Sequence, residues 1–187
     1  MPLGAMVKII TYITRGKIIE STHESKCVIK NLNFKTILSS NNDYDLVYPR
    51  SAIKIFQAIP FIDSKAHKKY YLSQKQIAIA CASHCGENEH LRVLEQWVKK
   101  ININAKQLQC GIHNPLNNKS SNKLLLKGII PNQLHNNCAG KHLAMISGCM
   151  ANKMSVQTYL DMNHPYQIKI RECMEYFTNN KISNLQK

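Results

Sequence analysis

The segment Pro49-Arg-Ser51-Ala-Ile-Lys54-Ile-Phe-Gln-Ala-Ile59 combines a predicted helix with the clearest chemical pattern in the sequence. The helix begins after Arg50, and Pro60 ends or kinks it because proline lacks the backbone N–H that a helix interior needs. Ser51 and Lys54 are three residues apart, close to one helical turn, so both side chains leave the same face. We therefore expect these two side chains to lie within hydrogen-bond reach on a largely buried helix.

A serine beside a lysine can attack a carbonyl carbon. The hydroxyl is a weak nucleophile and needs a base within about 2.6–3.2 Å to take its proton. A lysine can be that base where an apolar setting keeps it neutral, and Ile53, Ile55 and Phe56 flank Lys54. The structural alternative, an N-cap serine followed by a surface lysine, produces the same short pattern, and the pattern alone leaves it open.

The residues before this helix favour β-strands. Runs of β-branched residues predict two strands within residues 7–21, broken at Arg15-Gly16. Further strands are expected around residues 27–31 and 34–38, followed by a turn or loop at residues 39–43. The N-terminal part is therefore predicted to consist of short strands.

Helices dominate the rest of the sequence. An amphipathic helix is predicted over residues 87–101, another from near Cys138, and a third that Asn163 caps. The apolar run at residues 77–83 is short and suits a buried strand or a helix end equally. Strands followed by helices on one core predict a single α/β or α+β layered domain over residues 1–187.

The composition excludes several classes of protein. The chain has 187 residues, 44% hydrophobic and 19% charged, which is typical of a globular domain and not of a disordered chain. It has no apolar run long enough to cross a bilayer and no signal-peptide pattern, so we expect a cytoplasmic protein that does not bind a membrane. Seven cysteines without a CxxC pair argue against a secreted disulfide framework.

The net charge of +14, with a pI near 9.5, raises nucleic acid as a partner. The lysines are scattered beside many Asn and Ile residues, which an A- and T-rich genome would produce without a functional cause. Aromatic residues make up 7% of the chain, and no stacking motif of the RRM or OB type occurs. We expect no specific nucleic-acid binding, and a non-catalytic basic binding protein is kept as an alternative function.

A second chemical signal is Cys81-Ala-Ser83-His84-Cys85-Gly86-Glu87, at the junction between the apolar run and the amphipathic helix. Such junctions present hydroxyls and backbone N–H groups to a substrate. Ser83 could be a second nucleophile or bind the substrate carboxylate, and His84 could be a base. In the structural alternative, Ser83 caps a helix and His84 is a satisfied, partly buried histidine.

A third signal lies between Leu134 and His142. Its Gly-Lys pair is similar to a P-loop, but the upstream glycine is absent, so nucleotide binding is rejected. Cys138 with His135 or His142 has the spacing of metal ligands on a helix, yet a closed zinc site needs four ligands. In the structural alternative, Asn137 caps a helix and Cys138 is buried.

Taken together, these segments resemble the L-asparaginase II family, in particular its thermolabile rhizobial type. The matching pieces follow family order and spacing from about Tyr12 to Tyr176. They are Thr14-Arg15-Gly16, Ile19-Glu20-Ser21, Pro49-Arg50-Ser51-Ala52 with Lys54 and Gln57-Ala58, Cys81-Ala-Ser83-His84 with Glu87 and His90, Cys110-Gly111 with His113 and Pro115, Asn136-Asn137-Cys138 with Gly140-Lys141-His142, and Tyr159-Leu160 with His164-Pro165. The ordered set is more specific than any one of its motifs.

The resemblance implies a fold like that of serine β-lactamases and penicillin-binding proteins, and hydrolysis of L-asparagine to L-aspartate and ammonia. Ser51 and Lys54 map onto the family's SxxK serine and lysine, and Ser83 maps onto a second active-site serine. Cys138 and Lys141 map onto two residues of the family's zinc site near the substrate pocket. A homodimer is also implied.

The implied zinc site is incomplete in this sequence. The family's third ligand is a cysteine in a TDGC-like segment, and no such segment occurs among the 187 residues. Cys173 lies in Arg-Glu-Cys-Met on a predicted helix face, where it is a poor substitute. We therefore expect any zinc affinity to be weak.

The end of the sequence and its missing segments lead to two further expectations. Family members continue well beyond this length, so we expect a truncated protein, incomplete at its C-terminus, with little or no asparaginase activity on its own. A penicillin-recognising SxxK acyl enzyme is a second alternative function, although the SxN and KTG segments of that class are absent from these residues.

Overall fold

The computed structural model of the chain describes residues 7–40 and 47–182. These residues divide into two compact units, with the boundary between Tyr48 and Pro49. Strands make up the regular structure described in the first unit, and helices make up that of the second. The expected mixture of helix and strand is therefore confirmed, while the single domain over residues 1–187 stays a prediction.

The first unit begins with an antiparallel hairpin. Strands β1 (Ile9–Arg15) and β2 (Ile18–Ser25) pair from Ile9 opposite Ser25 to Arg15 opposite Ile18. Gly16 has a φ of +62° in the tight turn between them, a left-handed conformation that glycine adopts without strain. The predicted break at Arg15-Gly16 is confirmed.

A second, shorter hairpin follows. Strands β3 (Val28–Lys30) and β4 (Thr36–Ser39) pair antiparallel. The Ser40 hydroxyl accepts a hydrogen bond from the Cys27 N–H at 2.6 Å and so ties the start of this hairpin to its end. Both predicted strands are confirmed, and most of the predicted loop at residues 39–43 lies outside the described residues.

The second unit is helical. Its seven α-helices are α1 (Lys54–Asp63), α2 (Ala66–Lys69), α3 (Gln74–Ala80), α4 (Asn88–Lys100), α5 (Asn118–Leu126), α6 (Ala139–Ala151) and α7 (Pro165–Thr178) among the described residues. Short 3₁₀ helices span Arg50–Ile53, Ala105–Gln107 and Gln133–His135. No described helix is both long and apolar enough to cross a membrane.

Helix α6 is the centre of this unit, because α1, α2, α3, α4 and α7 all pack against it. Apolar residues surround α6, as expected for a helix that is buried on every side. Gly140 permits the closest approach: a Cβ atom there would lie 2.2 Å from the carbonyl oxygen of Ile79 in α3. The Gly-Lys pair of the sequence is thus explained by helix packing.

Helix α4 confirms the predicted amphipathic helix. Its buried residues include Leu94 and Trp97, and Ile101 follows the last turn at 2% exposure. The indole N–H of Trp97 donates to the hydroxyl of Ser147 in α6 at 3.0 Å. A buried polar pair therefore fixes how α4 lies on α6.

At three helix boundaries, the structure either differs from the expectation or resolves an ambiguity that the sequence left open. Helix α1 does not end at Pro60 but continues to Asp63, because Phe61 is fully buried and its packing offsets the lost hydrogen bond. The ambiguous run at residues 77–83 contains the end of α3, which a Ser73–Gln76 capping box starts. His164, and not Asn163, caps α7, since its Nδ1 accepts from the Tyr166 N–H.

Candidate active site

Ser51 and Lys54 lie on two successive helical elements. Ser51 is an exposed residue of the 3₁₀ turn Arg50–Ile53, and Lys54 is the first residue of α1. Lys54 is only 2% exposed. No described carboxylate lies within ion-pair distance of Lys54. A buried amine without an anionic partner is uncommon in proteins.

Ser83 lies in the loop between α3 and α4, and later segments hold this loop in place. The N–H of His84 donates to the carbonyl oxygen of Asn137 at 3.3 Å. Gly86, with φ +72°, packs so closely that a Cβ there would come within 2.9 Å of Pro115. The loop therefore depends on two parts of the chain that follow α4.

One chain of hydrogen bonds connects the three predicted catalytic side chains. The Lys54 ammonium donates to the Ser83 hydroxyl, and Ser83 Oγ donates to Ser51 Oγ at 3.1 Å. The predicted contact between Ser51 and Lys54 is therefore corrected: no direct hydrogen bond joins them among the described residues, because Ser83 comes between them. One small ligand can contact both hydroxyls.

His84 does not contact the serines in the way a base would. Its Nδ1 accepts from the Gly86 N–H at 3.2 Å, and its ring lies 5.4 Å from that of His90. Burial, followed by the positive charges of His90 and Lys54, lowers the pKa of His84 to about 4. A neutral imidazole with this pKa is a weak base, which favours the structural role for His84.

A cavity of about 400 Å³ opens beside Ser83. Ala78, Ala82 and Val93 give it apolar walls, and Lys75 and Glu89 contribute opposite charges. The Lys75 ammonium lies 4.0 Å from the Glu89 carboxylate, and both side chains are largely exposed. No local sequence pattern predicts this pair, because the two residues lie on different helices.

The family model for L-asparaginase II matches residues 11–186 of the chain. The chain belongs to the L-asparaginase II family. Membership makes it a hydrolase of a family that acts on the small amide asparagine. None of the curated proteins compared with this family member matches it.

The predicted metal residues of this L-asparaginase II family member lie at the start of α6. Cys138 immediately precedes the helix and Lys141 lies in its first turn, both half-buried. The predicted Asn137 cap is wrong, because Cys138 holds the N-cap position of α6 and no side chain caps the helix. Just before the helix, the amide of Asn136 accepts from the Cys138 N–H through its Oδ1 at 2.8 Å. The other end of that amide donates to the Cys110 carbonyl at 2.7 Å.

The described residues do not complete a zinc site around Cys138 and Lys141. Residues 7–40 and 47–182 contain no group of three His, Cys, Asp or Glu side chains that could hold a metal ion. Cys173 lies on α7, where it lines a separate cavity with Asp63 and Glu172. One thiol and one amine leave a tetrahedral zinc ion short of ligands, so no chemical step is assigned to a metal.

Proposed function

We propose that this L-asparaginase II family member hydrolyses the side-chain amide of L-asparagine through the array Lys54–Ser83–Ser51. The observation that carries the proposal is the continuous hydrogen-bond chain from the buried amine to the exposed Ser51 hydroxyl. Its members have the types that acyl transfer requires, a nucleophile and a base that can take its proton.

Ser51 is the attacking group in this mechanism. As Ser51 Oγ bonds to the amide carbon, its proton passes to Ser83 Oγ while the Ser83 proton passes to Lys54 Nζ. Lys54 then returns a proton to Ser83 Oγ while the Ser83 proton passes to the amide nitrogen, and the C–N bond breaks to release ammonia. Lys54 must be neutral when the step begins, because an ammonium has no lone pair to accept a proton.

Water completes the reaction in a second step. The first step leaves an ester between Ser51 and the aspartyl side-chain carbonyl. A water molecule loses its proton to Lys54 through Ser83, attacks the ester carbon, and displaces Ser51, which regains a proton. The products are L-aspartate and the free enzyme, so no redox partner or cofactor enters the balance.

Ser83 as a relay is supported by its position between the other two groups. With Lys54 as an ammonium, Ser83 accepts from Lys54 and donates to Ser51. Once Lys54 is neutral, both hydrogen bonds reverse, so that Ser51 donates to Ser83 and Ser83 to Lys54, which is the direction that the proton transfer requires. In the alternative, Ser83 itself attacks the amide carbon, because Ser83 is the serine in direct contact with Lys54. The two assignments differ in which serine carries the acyl group.

The experiment combines ammonia release with mass spectrometry of the protein after quenching with acid. The expected low activity of residues 1–187 on their own stays a prediction, so the assay uses the full-length protein. Ammonia release from L-asparagine is expected there, with loss in S51A, S83A and K54M variants. We expect the acyl mass on the peptide that contains Ser51. An adduct on the Ser83 peptide would reverse the two serine roles, and no turnover of asparagine or glutamine by the folded protein would reject the proposal.

Several finer expectations stay predictions. A fold like that of serine β-lactamases is supported by an SxxK lysine buried at the start of a packed helix. The homodimer and the cytoplasmic location rest on the resemblance and on the sequence. Zinc bound at Cys138 and Lys141 rests on the resemblance, and titration of the protein with zinc against a competing chelator would test it.

A further inference from the structure

We propose that Lys75 and Glu89 recognise the zwitterionic head group of an α-amino acid substrate in the cavity beside Ser83. Lys75 would bind the α-carboxylate and Glu89 the α-ammonium group. This inference rests on the proposed function and adds the residues that select the substrate class.

The first argument is that the ion pair and the reactive hydroxyl share one cavity. Lys75, Glu89 and Ser83 all line the same space of about 400 Å³. Ser83 is also the central member of the hydrogen-bond array. A substrate whose amide lies against Ser83 can therefore extend its other end toward the two charges.

The second argument is electrostatic complementarity. An amino acid carries a carboxylate and an ammonium group on one carbon, so its two charges lie close together. Lys75 and Glu89 present the opposite charges 4.0 Å apart. A substrate with only one of these charges would leave one protein group without a partner, which lowers its relative affinity.

The third argument is that both protein groups are available. A distance of 4.0 Å is too long for a hydrogen bond. The described residues include no other polar partner for the Lys75 ammonium or the Glu89 carboxylate. As an exposed ion pair they add little to stability, so both groups can turn to a ligand at little cost to the fold.

The walls of the cavity fit the part of the substrate between head group and amide. Ala78 and Ala82 follow Lys75 along one side of α3 and its end, and Val93 faces them from α4. Their methyl groups form an apolar surface that suits the methylene of asparagine. The order along the cavity is therefore charge pair, apolar wall and hydroxyl.

The test compares three amides: L-asparagine, succinamate, which lacks the α-amine, and 3-aminopropanamide, which lacks the α-carboxylate. In K75M, kcat/KM should fall about tenfold for asparagine and succinamate and stay unchanged for 3-aminopropanamide. In E89Q, it should fall about tenfold for asparagine and 3-aminopropanamide and stay unchanged for succinamate. The matched variants K99M and E95Q, on exposed positions of α4, should behave as the parent with all three amides.

The same comparison is made for binding, so that the two proposals can fail separately. Dissociation constants of the three amides are measured by ligand-observed NMR in an S51A background. Charge-selective losses in binding support the head-group site even if the parent shows no turnover. Equal effects of K75M on all three amides, or none on any, overturn the inference and leave the proposed reaction standing.

Discussion

Two chains of hydrogen bonds between buried groups of the helical unit differ in where they end. Lys54 bonds to Ser83 and through it to the exposed Ser51. His142, which is 5% exposed, contacts the Tyr159 hydroxyl at 2.6 Å, and that hydroxyl accepts from the Gln109 N–H at 2.8 Å.

The difference separates reactive from structural use of similar parts. Tyr159 is fully buried, so the second chain satisfies its groups inside the protein. The first chain ends in a hydroxyl that meets solvent, where a substrate can bind. We infer that a buried base supports chemistry when its hydrogen-bond chain reaches the surface, and supports packing when the chain closes in the core.

Removing the buried amine should have the largest effect. In K54M the hydroxyls lose their proton acceptor, and we expect kcat for asparagine to fall about 10³-fold. Methionine is of similar length and apolar, so the melting temperature should stay the same or rise. Ammonia release and thermal unfolding are measured together, and a variant that keeps a large fraction of its activity would contradict the role of Lys54.

Pushing apart helices α3 and α6, which position residues of the two hydrogen-bond chains, should have the next largest effect. Helix α3 leads to Ser83, α6 contains His142, and Gly140 holds them together. In G140A the new methyl group meets the backbone of Ile79, and we expect a loss of about 3 kcal/mol in the free energy of unfolding.

Gly148→Ala is the matched comparison for G140A. There the nearest atom belongs to the ring of Tyr166, at 2.4 Å, and not to backbone. A ring can shift more easily than a helix, so the loss should be smaller. Urea unfolding measures both variants, and equal losses would show that the backbone contact does not decide the helix spacing.

Breaking the buried hydrogen-bond chain at Tyr159 should destabilise the protein without affecting the reaction. In Y159F the Gln109 N–H and the His142 Nδ1 lose their shared partner. We expect a loss of about 2 kcal/mol in the free energy of unfolding, because buried polar groups are left unpaired. The kcat for asparagine should stay within about twofold of the parent. A fall of kcat comparable to that of K54M would show that the two chains act as one.

Acid should have the smallest effect, as the loss of folding stability that each buried imidazole contributes when the pH falls. Burial lowers the pKa of His84 and of His142 from 6.5 to about 4. The unfolded chain therefore takes up protons first as the pH falls, and stability present above pH 6.5 is lost progressively toward pH 4.

Urea unfolding at pH 7 and pH 5.5 measures this loss. We expect about 1 kcal/mol for each of the two histidines. An H142Q variant should show a smaller difference between the two pH values, whatever its absolute stability. A free energy of unfolding that is the same at pH 7 and pH 5.5 would contradict the lowered pKa values.

Local patterns in the sequence predicted much of the fold. The β-branched runs gave both hairpins, and the apolar period gave α4 because its buried face includes Leu94 and Trp97. The sequence left open whether Pro60 ends or kinks α1, because the burial of Phe61 that lets the helix continue to Asp63 is a tertiary effect.

The hydrogen bonds that connect the candidate site residues could not be predicted from the sequence. The spacing of Ser51 and Lys54 placed them near each other, but the position of Ser83 between them depends on how α3 packs. The cap of α6 was assigned to Asn137, whereas Cys138 holds the N-cap position and no side chain caps the helix. Lys75 and Glu89 meet only because two helices lie side by side, which no local pattern encodes.

The hydrogen bond from His84 to the carbonyl of Asn137 sets an order of events during synthesis. Ser83 leaves the ribosome 54 residues before Asn137, which takes about 3–11 s at roughly 5–20 residues per second. During that interval the Ser83 loop lacks the segment that holds it, although both serines have already been made. A nascent chain therefore contains both serines for several seconds before Asn137 can hold the Ser83 loop in place, and slower translation through this stretch lengthens that interval.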